Sequence, residues 1–284
     1  MNNFCCIAGL LLATLLSRVG SAEPTPVVLR PLQEAEVSAQ QTGLLLKLVV
    51  AEGESVRAGQ VLASLDDQEV KLDVARAHLE HARAEAEASN EVQIKYAEKS
   101  LEVARAELAR SRESIDKFAK SISQSQLDVE RLTVDKIVLE RQQAEHELKL
   151  KRFGVQLQQN ELDAARLRLQ QHQLRAPFAG IVVLVRGRIG EWVEVGVPVL
   201  RLVAVDKLRA EGFLQVGQAT ADLVGRPVQI EFGSAAKRVQ VTGILRFVSP
   251  EMDPVTKQVR IWAEVPNADG LLRPGQQGTL EILP

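Results

Sequence analysis

The protein has 284 residues, of which 35 are lysine or arginine and 37 are aspartate or glutamate, so its formal net charge is −2. This balance argues against a protein that holds nucleic acid by bulk electrostatics, which needs a clear basic excess. Hydrophobic residues make up 45% of the chain, enough for folded domains, and the mean hydropathy of −0.04 excludes a polytopic membrane protein.

An apolar run near the N-terminus has the features of an export signal. It extends from Ile7 to Leu16 and is followed by a Gly-Ser-Ala sequence that ends at Ala22. The run is shorter than the roughly 20 residues that cross a bilayer, so we predict a cleaved signal peptide over 1–22 rather than an uncleaved anchor. Because Cys5 and Cys6 lie in this segment, the mature chain is expected to contain no disulfide, thiolate metal site or cysteine nucleophile.

Three compositional blocks follow the predicted signal peptide. Residues 27–67 form short apolar stretches broken by glycine-containing turns, which is typical of β-strands. Residues 68–172 contain no proline and one glycine, and they are rich in Ala, Glu, Leu, Arg, Gln and Lys, which is typical of helices. Residues 174–283 return to a β-type composition. A continuous helical block therefore separates two β-rich blocks.

The helical block carries two heptad rows, which predict a coiled coil. A single helix of this length would be about 157 Å long, whereas a hairpin of two halves would be about 75–80 Å long. Serines around Ser121–Ser125 compete with the helix for backbone hydrogen bonds, so we predict an antiparallel hairpin that turns there. Leu72, Leu79 and Ala86 are expected to continue the first row after a register shift near Ser89-Asn90. The first row is Ile94, Leu101, Leu108, Ile115 and Ile122, with Ala97, Ala104, Ser111 and Phe118 at the intervening seam positions; the second is Leu127, Val134, Arg141, Leu148, Val155, Leu162 and Leu169.

The β-rich segments on either side of the helical block repeat one another. Neither copy is long enough to bury its own apolar face, so we predict that both pack together as one β-sandwich with the hairpin inserted at its midpoint. Glu54 and Glu191 are equivalent in the repeat, and we interpret them as turn residues rather than a catalytic pair. A shift of 137 residues superposes Gly43 on Gly180, Gly53 on Gly190, Glu54 on Glu191, Val56 on Val193, Gly59 on Gly196 and Leu65 on Leu202.

The split repeat resembles a biotinyl/lipoyl-type domain that a coiled coil divides in two. With the sequence LRAPFAGIV at Leu174–Val182, it is similar to the periplasmic adaptor (membrane fusion, hemolysin-D-like) family of tripartite efflux pumps, most of all the RND type. Residues 253–260 and 272–276 are similar to two late motifs of that family's β-barrel domain. Lys257-Gln258 stands in place of the usual Arg-Thr, and Gln276 in place of Met.

The resemblance implies an α+β multidomain fold, a split lipoyl/biotinyl-like β-sandwich with an inserted antiparallel coiled-coil α-hairpin, followed by a small β-barrel. Longer family members continue into a membrane-proximal domain, most of which is missing before Pro284, and this leaves the mode of docking on a transporter open. The predicted domains are an N-terminal segment with the first sandwich half (23–67), the hairpin (68–172), the second half (173–205) and the barrel (206–284).

The resemblance also implies a function. The expected protein is a non-catalytic periplasmic adaptor without a cofactor, which links an inner-membrane efflux transporter to an outer-membrane channel protein. Its expected location is the periplasm, where its transporter associates it with the inner membrane, and in the family such adaptors form a homo-oligomer, a hexamer. An adaptor of an ATP-driven (ABC) exporter and an exported coiled-coil scaffold with no pump partner are alternatives that the residues leave open.

The hairpin tip can be compared with the family residue by residue. There, an arginine and a serine eleven positions later contact the outer-membrane channel. Arg112 and Ser123 have this spacing and Ile122 precedes the serine, so the resemblance implies that these three residues contact the channel. Glu113 and Asp116 occupy positions that are apolar in the family, so the match is partial. The alternative is that Arg112 is a solvated helix residue and Ser123 a turn residue.

Other functional classes find little support in the sequence. The chain contains no Met-Lys-Met or Asp-Lys-Ala, so a covalent biotin or lipoyl carrier is disfavoured, and no catalytic triad, phosphate loop or zinc spacing indicates an enzyme. Trp192 and Trp262 are expected to be packing residues. His78 and His81 share a helix face and could bind a metal weakly, although a solvated face is the favoured interpretation.

Overall fold

The structure, a computed structural model, consists of two β domains and a long helical hairpin, and it describes residues 24–118, 122–234 and 237–283. The predicted signal peptide, with Cys5 and Cys6, lies outside the described residues. The α+β fold class with a split sandwich, an inserted hairpin and a barrel is confirmed. The helices are α1 (Gln68–Ala88), α2 (Val92–Lys117) and α3 (Gln124–Gln171), with a short 3₁₀ helix at Ala221–Leu223.

The strands of the described chain fall into one closed barrel and two four-stranded sheets. They are β1 (Thr25–Pro31), β2 (Glu34–Ser38), β3 (Gly43–Leu48), β4 (Ser55–Val56), β5 (Val61–Leu65), β6 (Gln173–Arg175), β7 (Gly180–Val185), β8 (Trp192–Val193), β9 (Pro198–Val203), β10 (Lys207–Gln215), β11 (Pro227–Ser234), β12 (Lys237–Met252), β13 (Gln258–Pro266) and β14 (Gln277–Ile282).

The sandwich is built from both copies of the sequence repeat. One sheet has the order β2-β9-β7-β4 and the other β6-β5-β3-β8, so each sheet contains strands from before and after the hairpin. The pairings are equivalent as well, because Gly43 pairs with Val193 in β3–β8 and Val56 pairs with Gly180 in β4–β7. Each half therefore completes the sheets of the other, and this explains why neither half could bury its apolar face alone.

The repeated turns have the same geometry in both halves. Gly53 and Gly190 adopt φ angles of 87° and 86°, which glycine reaches without the steric penalty that a Cβ imposes. The carboxylates of Glu54 and Glu191 each accept the backbone N–H of the residue three positions earlier, at 3.0 and 2.9 Å. The interpretation of both glutamates as turn residues agrees with these contacts.

The hairpin packs α1 and α2 in succession against α3. Because α3 has 48 residues, the hairpin is about 72 Å long. The seam uses the predicted heptad positions over most of its length, with small alanines that let the helices approach closely. Its buried residues are Ala97, Leu101, Ala104 and Leu108 on α2 and Leu148, Leu162 and Ala165 on α3.

The first arm of the hairpin, formed by α1 and α2 and called the ascending arm, is broken where the register shift was predicted. Helix α1 ends at Ala88 and α2 begins at Val92. Between them the Ser89 hydroxyl donates to the Ala86 carbonyl at 2.9 Å, and the Asn90 side-chain oxygen accepts the Val92 N–H at 3.1 Å. Short polar side chains thus replace helical backbone bonds at this point.

The predicted seam position of Leu72, Leu79 and Ala86 is wrong. Leu72 and Leu79 are 72% and 69% exposed, whereas Ala77 is buried against α3 together with Val74. The predicted one-residue shift of register across the helix break therefore placed the row on the wrong face of α1, since Leu79 follows the buried Ala77 by two positions and points about 200° away from it.

The barrel closes with the strand order β1-β10-β13-β12-β11-β14. Its first strand comes from the N-terminal segment, which the composition grouped with the first β-rich block. Alternation places one face of each strand inside; the residues fully buried there include Leu29, Leu208, Ile230, Leu245 and Ile261.

The chain passes between barrel and sandwich at one end of the barrel. There β1 ends at Pro31 and β10 begins at Lys207. Because neighbouring barrel strands are antiparallel, the turn between β12 and β13, which carries Val255, lies at the opposite end. This turn therefore lies at the end of the barrel that is remote from the chain crossings to the sandwich.

Candidate functional site

The hairpin tip lies between the end of α2 and the start of α3. Phe118 follows α2 with an extended backbone (φ −139°, ψ 96°) and a side chain that is 72% exposed. Residues 119–121 lie outside the described part of the chain, and with them lies Ser121 of the predicted turn. The predicted seam position of Phe118 is wrong, because α2 ends at Lys117 and the side chain of Phe118 is largely exposed.

The three predicted contact residues lie at the same end of the hairpin. Arg112 is exposed near the end of α2, and Ile122 is half-buried just before α3. Ser123 is the N-cap of α3, where its hydroxyl accepts the backbone N–H of Gln126 at 3.2 Å. This bond gives Ser123 a structural role of its own, and its contact with a channel stays a prediction.

Charged side chains surround the tip. Glu113 and Asp116, which replace apolar residues of the family, are both exposed, and Lys117 donates to Glu113 at 2.6 Å. Such an exposed pair contributes only about 0–1 kcal/mol to stability. The described part of the tip therefore offers a partner mainly polar groups and one exposed aromatic ring, that of Phe118.

Two of the histidines contact nearby residues of the hairpin. His81 lies 3.8 Å from Glu85, and the buried His172 has its Nδ1 2.8 Å from the carbonyl oxygen of Arg168 at the end of α3. Among the described residues, no three His, Cys, Asp or Glu side chains are grouped so that they could hold a metal ion.

Exposed apolar residues are the feature that the sequence analysis missed. Trp192, expected to pack, is 65% exposed in β8, with Ile189 and Val195 exposed beside it in sequence. A tryptophan in a two-residue strand of a repeated turn has no periodicity from which its orientation could be read. Within the described helices, none combines the length and apolar character that crossing a membrane requires.

Two protein-family models match the chain and show which family it belongs to. The model of the RND membrane fusion protein barrel-sandwich hybrid domain matches residues 33–204, and that of the CusB-like β-barrel domain matches residues 214–283. The chain belongs to the RND membrane fusion protein family. The first match covers the split sandwich with its hairpin and the second most of the barrel, so the resemblance read from the sequence is confirmed.

One known protein matches most of the chain at low sequence identity. The chain is 26% identical over 226 residues to the multidrug export protein EmrA of Haemophilus influenzae, and the match covers 74% of this chain and 58% of that protein. The chain thus matches less than two thirds of that relative's length.

Solved structures with low identity show the same fold. The crystal structure of MacA from Actinobacillus actinomycetemcomitans matches with a TM-score of 0.61 at 19% identity, over 91% of this chain and 77% of that one. The membrane fusion protein Spr0693 of Streptococcus pneumoniae R6 matches with a TM-score of 0.51 at 19% identity, over 91% of this chain and 98% of that one.

Proposed function

We propose that this membrane fusion protein is the periplasmic adaptor of a tripartite efflux pump, in which it joins an inner-membrane transporter to an outer-membrane channel without catalysing a reaction. The observation that carries the proposal is a hairpin about 72 Å long, inserted in a sandwich whose other neighbour is a barrel. Such a molecule can contact partners at two distant ends.

Export of drugs through an RND-type transporter is the form of this function that the comparisons support best. The matching family model is that of RND membrane fusion proteins, and the relative from Haemophilus is named a multidrug export protein. A transporter driven by ATP is the alternative partner, and isolation of the inner-membrane partner distinguishes the two.

A homo-oligomer is the second part of the proposal, and two apolar stripes on the hairpin support it. Leu150 follows the seam residue Leu148 by two positions and therefore points about 200° away from it. Both stripes are exposed, and they lie on opposite arms of the hairpin. The α3 outer stripe is Leu132, Leu139, Leu150, Phe153, Leu157 and Leu167, and the ascending outer stripe is Leu72, Leu79, Val92, Tyr96 and Val103.

The two stripes run along the same stretch of the hairpin. Ala77 packs on Leu162, and Glu91 lies 3.8 Å from Arg152, so Leu79 is near the level of Leu162 and Val92 near that of Leu150. One copy can therefore set its α3 outer stripe against the ascending outer stripe of the next. Because this contact joins two different faces, each copy can bind the next in the same way, and a closed ring such as a hexamer can form.

The oligomer is tested by placing a charge on one stripe. Leu150→Glu should shift the purified protein towards monomer in native mass spectrometry, because a carboxylate would be buried in the contact. Leu150 faces away from the seam, so the circular dichroism should stay that of the wild type. A wild-type protein that is monomeric at all concentrations, or an unchanged distribution in the variant, would contradict the proposed contact.

The channel contact is tested at Arg112. Arg112→Asp reverses the charge of an exposed residue, so folding should be unchanged while co-purification of the outer-membrane channel falls severalfold. Lys136→Asp, a charge reversal elsewhere on the exposed hairpin surface, is the matched control and should leave channel binding unchanged. Equal recovery of the channel with the Arg112 variant and the wild type would refute the role of Arg112.

A further inference from the structure

A cleft of about 650 Å³ lies between the barrel and the sandwich. One wall is the outer face of the barrel, with Val28 and Arg30 on β1 and Arg209 on β10; Phe178 and Arg201 of the sandwich line the other. Sites for drug-sized ligands typically have volumes of about 300–1,000 Å³. The cleft is remote in sequence from the hairpin tip, and the proposed contacts of the adaptor do not use it.

Two arginines lie side by side on the barrel wall of this cleft. Arg30 and Arg209 are directly opposed in the β1–β10 ladder, where like charges destabilise a sheet. A single carboxylate, that of Glu211, lies 3.1 Å from Arg30 and 3.8 Å from Arg209, and it also pairs with Arg260 at 3.2 Å. Three guanidinium groups thus share one carboxylate. Glu264 is opposite Arg209 in the β10–β13 ladder. However, it pairs with Lys207 and Arg246, so the wall keeps an excess of positive charge.

The guanidinium of Arg209 is incompletely paired, because its Nη2 lies 3.8 Å from Glu211 Oε2, beyond hydrogen-bond distance, and that oxygen too is buried without a hydrogen-bond partner among the described residues. Its Nε is buried and has no hydrogen-bond partner among the described residues. On the opposite wall, Arg201 donates to Glu34 at 2.7 Å, a bond that raises the pKa of Arg201, and this pair adds no net charge. The unbalanced positive charge is therefore concentrated on the barrel side, in groups whose planar forks suit carboxylate, sulfonate and phosphate.

Apolar side chains lie next to these charges. Val28 is 36% exposed, and Leu32 and Phe178 are half-buried around the same cleft. We propose that the cleft binds a small amphipathic organic anion, whose acidic group lies at Arg30 and Arg209 and whose apolar body contacts Val28 and Phe178. This site goes beyond the adaptor function and would hold in an isolated chain.

Titration of the purified full chain with the fluorescent dye 1-anilinonaphthalene-8-sulfonate tests the site. We expect saturable binding that weakens with salt, and a dissociation constant about tenfold higher in Arg209→Gln, because a hydrogen bond to a charged group contributes on that scale. Arg226→Gln removes the same charge from a barrel residue that pairs with Asp222, and it should bind like the wild type. Thermal unfolding of each variant checks the fold.

A second variant leaves every arginine in place. Val28→Glu puts a carboxylate inside the cleft, where it competes with the anion, and should weaken dye binding at least as much as Arg209→Gln. Equal affinity of the wild type and both cleft variants would overturn the proposal. Binding of a polyglutamate peptide without binding of the dye would also overturn it, in favour of an acidic protein segment as the occupant.

Discussion

Asn267 connects the barrel with the chain that leads to the sandwich. Its side-chain nitrogen donates to the carbonyl oxygens of Val205 and Leu272 at 2.8 and 3.0 Å, and its oxygen accepts the Leu272 N–H at 2.9 Å. Its backbone N–H also donates to the backbone carbonyl oxygen of Asp206 at 2.8 Å. One buried amide thus holds the β13–β14 loop and the connecting segment in a fixed relation.

Asn267→Ala is therefore expected to lower the free energy of unfolding of the barrel by about 2–4 kcal/mol, because buried backbone groups of Leu272 would lose their partners. Urea unfolding followed by circular dichroism measures the change. Asn267→Asp keeps the acceptor for the Leu272 N–H but loses both donated bonds, so it too should be destabilised. An alanine variant as stable as the wild type would show that water replaces these bonds without loss.

At the same scale, the repeat predicted individual residues well where the backbone dictates them. Gly53, Gly190, Glu54 and Glu191 occupy equivalent turns because each turn requires a positive φ and a carboxylate acceptor. The exposure of Trp192 was not predictable in this way, since it depends on which neighbours cover a short strand and not on the strand itself.

Among the elements, the long helices were the most predictable. A heptad repeat is a local pattern, so it places Leu101 and Leu108 on the seam without knowledge of the remaining fold. In the sequence, the break at Ser89–Glu91 was visible only as a change of register. Which face of α1 packs against α3 depends on this break, and that face was not predicted correctly. Assignment of β1 to the barrel depends on pairing with residues 177 to 255 positions away, for which no local signal exists.

Leu108→Asp is the direct test of the hairpin seam. It places a charge at a position that is 8% exposed, so we expect a loss of about 3 kcal/mol or more and a weaker helical signal in circular dichroism. Val103→Asp, on the exposed face of the same helix, should leave the helical signal nearly unchanged. Equal helicity of the Leu108 variant and the wild type would refute the seam.

At the scale of the whole molecule, the topology separates two ends. The hairpin extends from one side of the sandwich, while the β12–β13 turn with Val255 lies at the barrel end remote from the sandwich. In the proposed adaptor, these two ends would contact different partners. The sequence resemblance predicted the hairpin, the sandwich and the barrel, but not the position of the β12–β13 turn. The tip contacts stay a prediction, because exposed polar residues reveal a partner only in its presence.

In-cell photocrosslinking from both ends tests the adaptor function most directly. A photoreactive phenylalanine analogue at Phe118, which is 72% exposed, should crosslink to an outer-membrane channel, and the same analogue at Val255, which is 88% exposed, should crosslink to an inner-membrane transporter. Mass spectrometry identifies both partners. Recovery of neither partner, with the protein abundant and folded, would contradict the account and favour an exported scaffold.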